Sequence, residues 1–409
     1  MNQLFPHLGA TSDVSASLAK RSLESVRQHL GMDVAYVSEF VGGETVFREV
    51  DAPGLGHLIS VGDRKSLDDV YCMHILEGRL PELIPDTADE PLAAAMPITS
   101  AVPIGAHVSV PIRRKSGEVY GMFCCLSAEP RPTLNSRDLH IVRAFAGLVA
   151  EDVERERAQE EARAVKAAGV REALLPGALV IHLQPICEML SGSPTGFEAL
   201  ARFDLEPRRT PDAWFAQAAD SGLAAELECA AVAAALAFLP ELPAPLTLGV
   251  NVSPAVVTSG AFAATLPDTA LDRVVLELTE HASVADYDAL LAALEPLRAR
   301  GIRLAIDDAG AGFSGLQHIL RLRPDIIKLD MTLIRDIDED PARRALAAAM
   351  QAFARQTGAL LVAEGVETQA ELRTLVSLGF QRGQGYLLGR PAPAADVLRG
   401  FAAPQAAAV

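Results

Sequence analysis

The stretch RLAIDDAGAGF, residues 303–313, places two adjacent aspartates between a short apolar run and two glycines. The run before them is typical of a strand that other elements cover. Carboxylates at the end of such a strand lose hydration, so each needs a hydrogen-bonding partner, a cation or a metal ion. Asp307 and Asp308 therefore indicate either a turn before Gly310 or a site that binds positive charge. Gly310 and Gly312 would let the following loop approach that site closely.

This stretch is one of a series of apolar runs that begins after Pro176 and alternates with helical patterns. Seven runs are clear, namely LVIHLQPI, FEALARF, LTLGVNVS, VVLELTE, RLAIDD, DIIKLD and LLVAEG, and GQGYLLG offers an eighth. Such alternation over roughly 200 residues is typical of a (β/α) barrel. We therefore predict a barrel of parallel strands in this part of the chain.

Polar residues within or at the carboxyl ends of these runs define a candidate site. They are Glu198, Asn251, Glu277, Asp307, Asp308, Lys328 and Glu364. The carboxyl ends of parallel strands meet at one rim of a barrel, where active sites are assembled from several strands. Carboxylates with one amide oxygen favour Mg²⁺ or Mn²⁺ over zinc. The adjacent aspartates can serve two metal ions about 3.5–4 Å apart, with one aspartate bridging them.

Each of these residues also has a structural alternative. A glutamate in a strand is commonly the partner of an arginine, and Lys328 can form an ion pair with Asp330. Turn formation is the alternative for the two aspartates. The recurrence of polar residues at the ends of different runs favours one shared site over separate structural roles.

The N-terminal part of the chain has a different pattern. Polar N-cap candidates and helical spacing predict a helix from Thr11 to about Leu30, which Gly31 ends. Two hairpins follow, DVAYVSEFV with TVFREV and AHVSVPIRR with VYGMFCCL, and the helical segment SLDDVYCMHILEG lies between them. A long helix then begins at Asn135 or Ser136. This order predicts an α+β unit of the size of a sensor domain.

Residues 151–166 alternate in charge and contain few apolar side chains, which predicts an exposed helix continuous with the preceding one. This segment is either a spacer or a signalling helix that pairs in a dimer through Val149, Val153 and its alanines. The sequence leaves both interpretations open.

Composition restricts the classes of function. The 409 residues are 50% hydrophobic and carry 36 basic against 53 acidic side chains, a net charge of -17. This charge disfavours nonspecific binding to DNA or to an anionic membrane. No apolar run reaches the roughly 18 residues of a membrane span, and the first residues lack a secretory signal. Five cysteines without a CxxC spacing indicate reduced thiols in a cytoplasmic protein.

Residues 14–150 resemble a GAF domain in the order of their elements and in the stretches YCMHILEGRLPELIPDT and GEVYGMFCCL. The resemblance implies a sensor domain that binds an unknown small ligand, such as a cyclic nucleotide or a chromophore, or that only dimerises. Cys72 and His74 are not the adjacent pair usual for chromophore attachment, so a structural cysteine is expected. GGET at Gly42 falls in a hairpin turn and lacks the acidic-Phe ending of the GGDEF signature, so no diguanylate cyclase domain is expected.

Residues 173–402 resemble the EAL domain of bacterial cyclic di-GMP phosphodiesterases. The motifs that carry the resemblance, in the order of the family, are QPI at Gln184, EAL at Glu198-Ala199-Leu200 followed by Arg202, NVS at Asn251, ELTE from Glu277 to Glu280, DDAGAG from Asp307, KLD from Lys328, EGVE from Glu364 to Glu367 and QGYLLGRP from Gln384. The resemblance implies a modified TIM (β/α) barrel joined to the sensor domain by a helical linker at residues 151–172. It also implies metal-dependent hydrolysis of cyclic di-GMP to linear pGpG in second-messenger signalling, regulated by the sensor domain, within a homodimer.

The resemblance also implies roles for individual residues. Two Mg²⁺ or Mn²⁺ ions per site would be held by Glu198, Asn251, Glu277, Asp307, Asp308 and Glu364. Lys328 would help to position the attacking water and offset developing charge, and Glu364 or Asp308 would accept the proton. Residues near the substrate would be Gln184, Leu200, Arg202, Asp330, Glu367 and Gln384. Glu280 would steady the loop after the aspartates.

The sequence departs from the family in that loop. The usual DDFGTG is DDAGAG here, with Ala309 and Ala311 in place of an aromatic residue and a hydroxyl, and Phe313 replaces a common tyrosine. Both aspartates and both glycines remain, so metal binding is expected to survive, whereas coupling of the loop to Glu280 and to dimer contacts stays open. The complete metal set favours an active hydrolase. The alternatives are a receptor that binds cyclic di-GMP without cleaving it and a protein-interaction scaffold.

Overall fold

The computed structural model describes residues 18–267, 269–279, 284, 286–309 and 313–402. The chain divides into two compact units between Ala162 and Arg163. Each unit has its own β-sheet. Within the described ranges, no helix combines the length and the apolar character that crossing a lipid bilayer requires.

The N-terminal unit is built on a six-stranded antiparallel sheet with strand order β3-β2-β1-β6-β5-β4. Its strands are β1 Val34–Val41, β2 Glu44–Asp51, β3 Arg64–Ser66, β4 Leu83–Ile84, β5 Ala106–Arg113 and β6 Val119–Ser127. Its helices are α1 Leu18–Leu30, α2 Tyr71–Leu76, α3 Pro91–Ala95, α4 Pro97–Ala101 and α5 Ser136–Ala173, with short 3₁₀ turns at Leu67–Asp69 and Thr87–Asp89.

Both faces of this sheet are covered, because successive side chains of a strand point to opposite faces. Ala35 and Val37 pack against α1 and α5 on one face. Val34 and Tyr36 pack with residues of α2 on the other face. Apolar residues therefore occupy consecutive positions in β1 without the alternation of a half-exposed strand.

Both predicted hairpins and the predicted long helix are confirmed. Gly42 and Gly43 form the turn of the first hairpin, and their φ angles of 61° and 85° are of the kind that glycine adopts readily. GGET therefore lies in a turn, as predicted. The sequence did not reveal β3, β4, α3 or α4, which are too short to show a period. Residues 11–17 of the predicted first helix lie outside the described residues.

The C-terminal unit is a closed barrel of eight strands, β7 to β14, in chain order. The strands are β7 Leu179–Glu188, β8 Pro194–Phe203, β9 Thr247–Asn251, β10 Val274–Thr279, β11 Arg303–Ala309, β12 Ile326–Leu329, β13 Leu360–Ala363 and β14 Arg382–Gly383, and β15 Ala392–Pro393 also pairs with β7. The helices are α6 Pro211–Ser221, α7 Ala224–Leu236, α8 Pro254–Thr258, α9 Ala261–Thr265, α10 Tyr287–Ala299, α11 Phe313–Leu322, α12 Met331–Ile334, α13 Pro341–Thr357, α14 Gln369–Ser377 and α15 Ala394–Ala402, with a 3₁₀ turn at Leu271–Arg273.

The prediction that all barrel strands are parallel is wrong for the first strand. β7 runs antiparallel to both β8 and β14, while the pairs from β8 to β14 are parallel. The five residues from Met189 to Ser193 are too few for the crossover that parallel strands need, so they make a hairpin connection.

The eighth strand is also shorter and earlier than predicted. β14 contains only Arg382 and Gly383, and the chain leaves the sheet before most of the GQGYLLG run. A side-chain carbon at Gly385 would lie 2.2 Å from the carbonyl oxygen of Val366, so the backbone passes too close to its neighbour for any other residue.

Side chains inside the barrel are apolar in one layer and polar in the next layer toward the carboxyl ends of the strands. Val275, Ala305, Ile326 and Val362 form a small buried cluster inside the strands. The side chains that alternate with these residues face the surrounding helices and belong to the main core. This apolar cluster fills its layer of the interior. The polar side chains further along the same strands therefore lie at one end of the barrel.

The end of α5 belongs to the C-terminal unit. Val170 and Ala173 are fully buried in a cluster that also contains Phe203 and Trp214. Trp214 is 4% exposed, and its ring lies 5.5 Å from that of Phe203. Within the C-terminal unit, the cluster holds the last turns of α5 against the outside of β8 and α6.

We predict that Trp214→Ala lowers the free energy of unfolding of the C-terminal unit by about 3–5 kcal/mol, because it leaves a large cavity in this cluster. Urea denaturation followed by circular dichroism measures the loss, since Trp214 is the one tryptophan and fluorescence would disappear. Leu190→Ala is the control, because Leu190 is 79% exposed and should change stability by no more than about 0.5 kcal/mol. A loss below about 1 kcal/mol for Trp214→Ala would contradict this assignment of the cluster.

Candidate active site

Four carboxylates, from three barrel strands and from the residue that follows a fourth, surround the ammonium group of Lys328. The distances from Lys328 Nζ are 3.2 Å to Glu198 Oε2, 2.7 Å to Glu277 Oε2, 2.9 Å to Asp307 Oδ1 and 2.8 Å to Glu364 Oε1. Lys328 and Glu277 are each 1% exposed. The alternative partner for Lys328 is wrong, since Asp330 instead accepts a hydrogen bond from the backbone of Thr332 and caps α12.

The charges of this cluster do not balance. If all four carboxyl groups ionise, one ammonium leaves three negative charges uncompensated in a buried site, which is costly. Burial alone would lower the pKa of Lys328, but the carboxylates outweigh it and raise that pKa well above its usual value. Burial raises the pKa of Glu277 to about 8, and it also raises the pKa values of Asp307 and Glu364. Without further cations the cluster therefore retains protons.

Glu198 differs from the other carboxylates because two neutral amides donate to it in addition to Lys328. Asn251 Nδ2 donates to Glu198 Oε1 at 2.9 Å, and Gln384 Nε2 donates to Glu198 Oε2 at 2.7 Å. Burial would raise the pKa of Glu198, but Lys328 and these two amides outweigh it and lower that pKa. Gln384 also donates to Gln184 Oε1 at 3.1 Å, which ties β7 to the end of the barrel. Glu198 is therefore held ionised and in a fixed orientation.

The two adjacent aspartates reach the same site because β11 is irregular there. In a regular strand, neighbouring side chains point to opposite faces. Asp308 has a φ of 54°, in the left-handed region, and the pairing of β11 with β12 shifts register between Ile306 and Ala309. Aspartate tolerates this conformation better than most residues, and such bulges redirect side chains next to active sites. The irregularity therefore turns both carboxylates toward one end of the barrel.

The carboxylates fall into two groups that suit a pair of cations. Oxygens of Glu198, Glu277 and Asp307 lie within 4.8 Å of one another, and so do oxygens of Asp307, Asp308 and Glu364. Asp307 belongs to both groups, which is the arrangement of a bridging ligand. The donors are oxygens, the kind that Mg²⁺ and Mn²⁺ prefer. The residues thus fit a site for two divalent ions, which would also neutralise the excess charge.

A groove of about 710 Å³ meets the cluster at Asn251, which donates to Glu198. Leu200 and Arg202 of β8 and Asn251 of β9 line it, so these predicted substrate and metal residues share one surface. The predicted residues Gln184 and Gln384 lie in the buried network around Glu198.

Two other predicted residues lie away from these contacts. The side chain of Glu367 is exposed, and Asp330 caps a helix. Glu280, Gly310, Ala311 and Gly312 lie outside the described residues.

Sequence reasoning missed two residues that shape the site. A side-chain carbon at Gly249 would lie 2.0 Å from Glu277 Oε1, so the glycine leaves room for that carboxylate. Glu228 Oε2 accepts a hydrogen bond of 2.8 Å from the backbone N–H of Ser253, two residues after Asn251. The glycine inside the apolar run LTLGVNVS indicated that another group approaches the backbone closely there. Nothing in the helix around Glu228 indicated that this carboxylate accepts a hydrogen bond near the site.

The fold agrees with the comparisons to known proteins. A family model described as EAL domain matches residues 167–391, and one described as GAF domain matches residues 16–153. A solved structure described as "PaMucR Phosphodiesterase, c-di-GMP complex" is 31% identical and has a TM-score of 0.52, covering 57% of this chain and 99% of that chain.

Two curated relatives come from Pseudomonas aeruginosa. The bifunctional diguanylate cyclase/cyclic di-GMP phosphodiesterase MucR is 32% identical over 246 residues, which are 57% of this chain and 36% of MucR. The cyclic di-GMP phosphodiesterase NbdA is 32% identical over 238 residues, which are 55% of this chain and 30% of NbdA. The chain therefore spans about a third of the length of these curated relatives.

We predict that the affinity for Mn²⁺ rises between pH 6 and pH 8 and that binding releases protons. Glu277, with a pKa of about 8, is mostly protonated at pH 6 and must lose its proton to become a ligand. The change reaches about tenfold per pH unit for each proton displaced. Isothermal titration calorimetry in two buffers of different ionisation enthalpy counts the protons.

The variant Glu277→Gln should bind Mn²⁺ more weakly and with a flatter pH dependence. The control Glu241→Ala alters an exposed carboxylate outside the cluster and should leave the pH profile unchanged. If the affinity of the native chain for Mn²⁺ stayed constant between pH 6 and pH 8, without proton release, the cluster would not retain protons as described.

Proposed function

This chain belongs to the EAL domain family, and we propose that its C-terminal unit hydrolyses cyclic di-GMP to linear pGpG with divalent metal ions. The observation that carries the proposal is the pair of carboxylate groups joined by Asp307 at one end of the barrel. Every position that the family resemblance assigns to the metals is occupied by an oxygen donor. The names of MucR and NbdA support the activity and the substrate class.

The chemistry of the reaction fits this arrangement. A phosphodiester is negatively charged and repels hydroxide, and bound Mg²⁺ or Mn²⁺ would supply the Lewis acidity that offsets this charge. Glu198, Asn251, Glu277, Asp307, Asp308 and Glu364 would hold two such ions per site. The oxygen of water would add to phosphorus as its proton passes to Glu364 or Asp308. One P–O ester bond of the ring would break, and the leaving ester oxygen would take up a proton to become a hydroxyl group. Linear pGpG is then the product.

Lys328 would act at the centre of this reaction. Its ammonium already lies within 3.2 Å of four carboxylates, so its position is fixed before the substrate arrives. From there it would help to position the attacking water and offset charge on the phosphate. Arg202 and Leu200, on the wall of the groove, would bind the substrate. Gln184, Gln384, Asp330 and Glu367 remain proposed substrate contacts, and Glu280 remains a proposed support for the loop.

The N-terminal unit would regulate this activity as a GAF sensor domain that binds a small ligand. We propose the boundaries 14–150 for this domain, 151–172 for the helical linker and 173–402 for the phosphodiesterase domain. α5 includes the whole linker without a break, which supports its helical character. A homodimer and a cytoplasmic location remain predictions.

We expect Glu198→Ala and Asp307→Ala to abolish metal-dependent formation of pGpG, because each removes a carboxylate from a proposed metal group. Chromatography of cyclic di-GMP incubated with the purified chain and Mg²⁺ or Mn²⁺ measures the product. Glu241→Ala is the matched control and should keep full activity. Tight binding of cyclic di-GMP by the native chain without product would instead favour the receptor function, and turnover by either variant would refute the metal assignment.

We also expect Lys328→Ala to lower kcat by at least about a hundredfold with a much smaller change in KM, because its charge acts on the reacting groups. Steady-state kinetics with cyclic di-GMP separates the two parameters. Arg202→Ala should show the opposite pattern, a raised KM with a smaller loss of kcat. An unchanged kcat for Lys328→Ala would remove its proposed role.

A further inference from the structure

The N-terminal unit contains a cavity of about 260 Å³ on the sheet face that α2 covers. Its walls are mainly apolar and include Val34, Phe47, Ile59, Val70 and Leu126. Small-molecule sites usually measure about 300–1,000 Å³, so this cavity limits an occupant to one or two rings. Nothing in the hydrolase site uses this space, because every lining residue belongs to the N-terminal unit.

Aromatic rings form part of the wall. Tyr36 and Phe47 lie with ring centroids 4.8 Å apart, and Tyr71 lies 4.9 Å from His107 in an edge-to-face arrangement. All four side chains are buried and line the cavity. Rings in these two pairs present faces and edges that suit a flat aromatic occupant.

His107 supplies the polar atom of the cavity. It is 3% exposed, and no group among the described residues forms a hydrogen bond with its Nδ1. Burial would raise the pKa of the Cys124 thiol, but hydrogen bonds from Cys72 and from the His107 ring outweigh it. The His107 ring therefore donates through its other nitrogen, and Nδ1 of the neutral imidazole is left as an acceptor. A buried nitrogen without a partner is costly, and a ligand that donates a hydrogen bond would remove this cost. The hydroxyl of Tyr71 is not available in the same way, since it already pairs with Thr99 Oγ1 at 2.5 Å.

The charges around the cavity argue against an anionic occupant. Its charged lining residues are Asp33 and Lys65. Asp33 Oδ2 already accepts from Ser127 Oγ at 2.9 Å and from the backbone N–H of Ala128 at 2.8 Å. Lys65 is exposed at the surface. A phosphate buried here would therefore lose its hydration without gaining enclosed cationic partners.

We propose that this cavity binds an uncharged aromatic molecule of one or two rings, such as an indole or a phenol, whose N–H or O–H group donates to Nδ1 of His107. This occupant differs in class from a cyclic nucleotide, whose phosphate the cavity does not accommodate. The inference deepens the proposed regulation, but binding is measured without hydrolysis, so the two proposals fail independently.

The test compares indole with 1-benzofuran, which has nearly the same shape and lacks the donor. Both are titrated into the full chain and followed by ligand-detected NMR. Indole should bind at least about fivefold more tightly, the usual effect of one buried hydrogen bond. Equal affinity for the two probes, or no binding of indole up to its solubility limit, overturns the proposal.

Three variants test whether the probes bind in this cavity. His107→Leu should abolish the preference for indole over 1-benzofuran, and Ile59→Trp, which fills the cavity, should weaken both probes. Lys65→Ala should change neither probe. A preference that persists in His107→Leu overturns the proposal, as does displacement of indole by cyclic GMP that depends on Lys65. Thermal melting checks that each variant is folded. If a variant is not folded, the affinities of the native chain for indole and 1-benzofuran test the proposal.

Discussion

The ammonium of Lys328 among four carboxylates, three of them buried, is the interaction on which the rest of the C-terminal unit depends. A barrel end with these carboxylates alone could not remain dry, because their mutual repulsion would add to the cost of losing hydration. One lysine reduces that cost and still leaves excess negative charge. The proposed divalent ions would neutralise the negative charge that remains. The same excess charge that makes the folded site costly would therefore bind the metal.

Much of the fold followed from the sequence because hydrophobic runs are local signals. The apolar runs revealed seven of the eight barrel strands, and the two-glycine turn at Gly42 and Gly43 revealed the first hairpin. The apolar run of β7 did not show whether the strand is parallel or antiparallel to its neighbours, since a buried strand is apolar along its length in either case. The length of the connection at Met189 was the available signal. The two-residue strand β14 is defined by its neighbours in space, which no local pattern reports.

The sequence predicted which residues form the candidate site better than it predicted their arrangement in space. Positions within or just after the barrel strands brought Glu198, Glu277, Asp307 and Glu364 around Lys328 at one end of the barrel. The sequence offered Asp330 as the partner of Lys328 because the two are close in the chain, whereas the true partners lie on other strands. The left-handed conformation of Asp308 depends on the register of β11 against β12. Such a shift by one residue arises from long-range pairing that apolar spacing does not encode.

The closure of the barrel has a consequence for the order in which the protein is made. β7 is the first barrel strand to leave the ribosome, but its partners β14 and β15 are synthesised about 200 residues later. Gln384 likewise reaches back 186 residues to Glu198. Until that segment appears, one edge of the growing sheet stays unpaired, and an open edge invites association with other chains. The hydrogen-bond network around Glu198 thus cannot close before Gln384 has been made, so an unfinished chain carries the carboxylates but not the enclosed site.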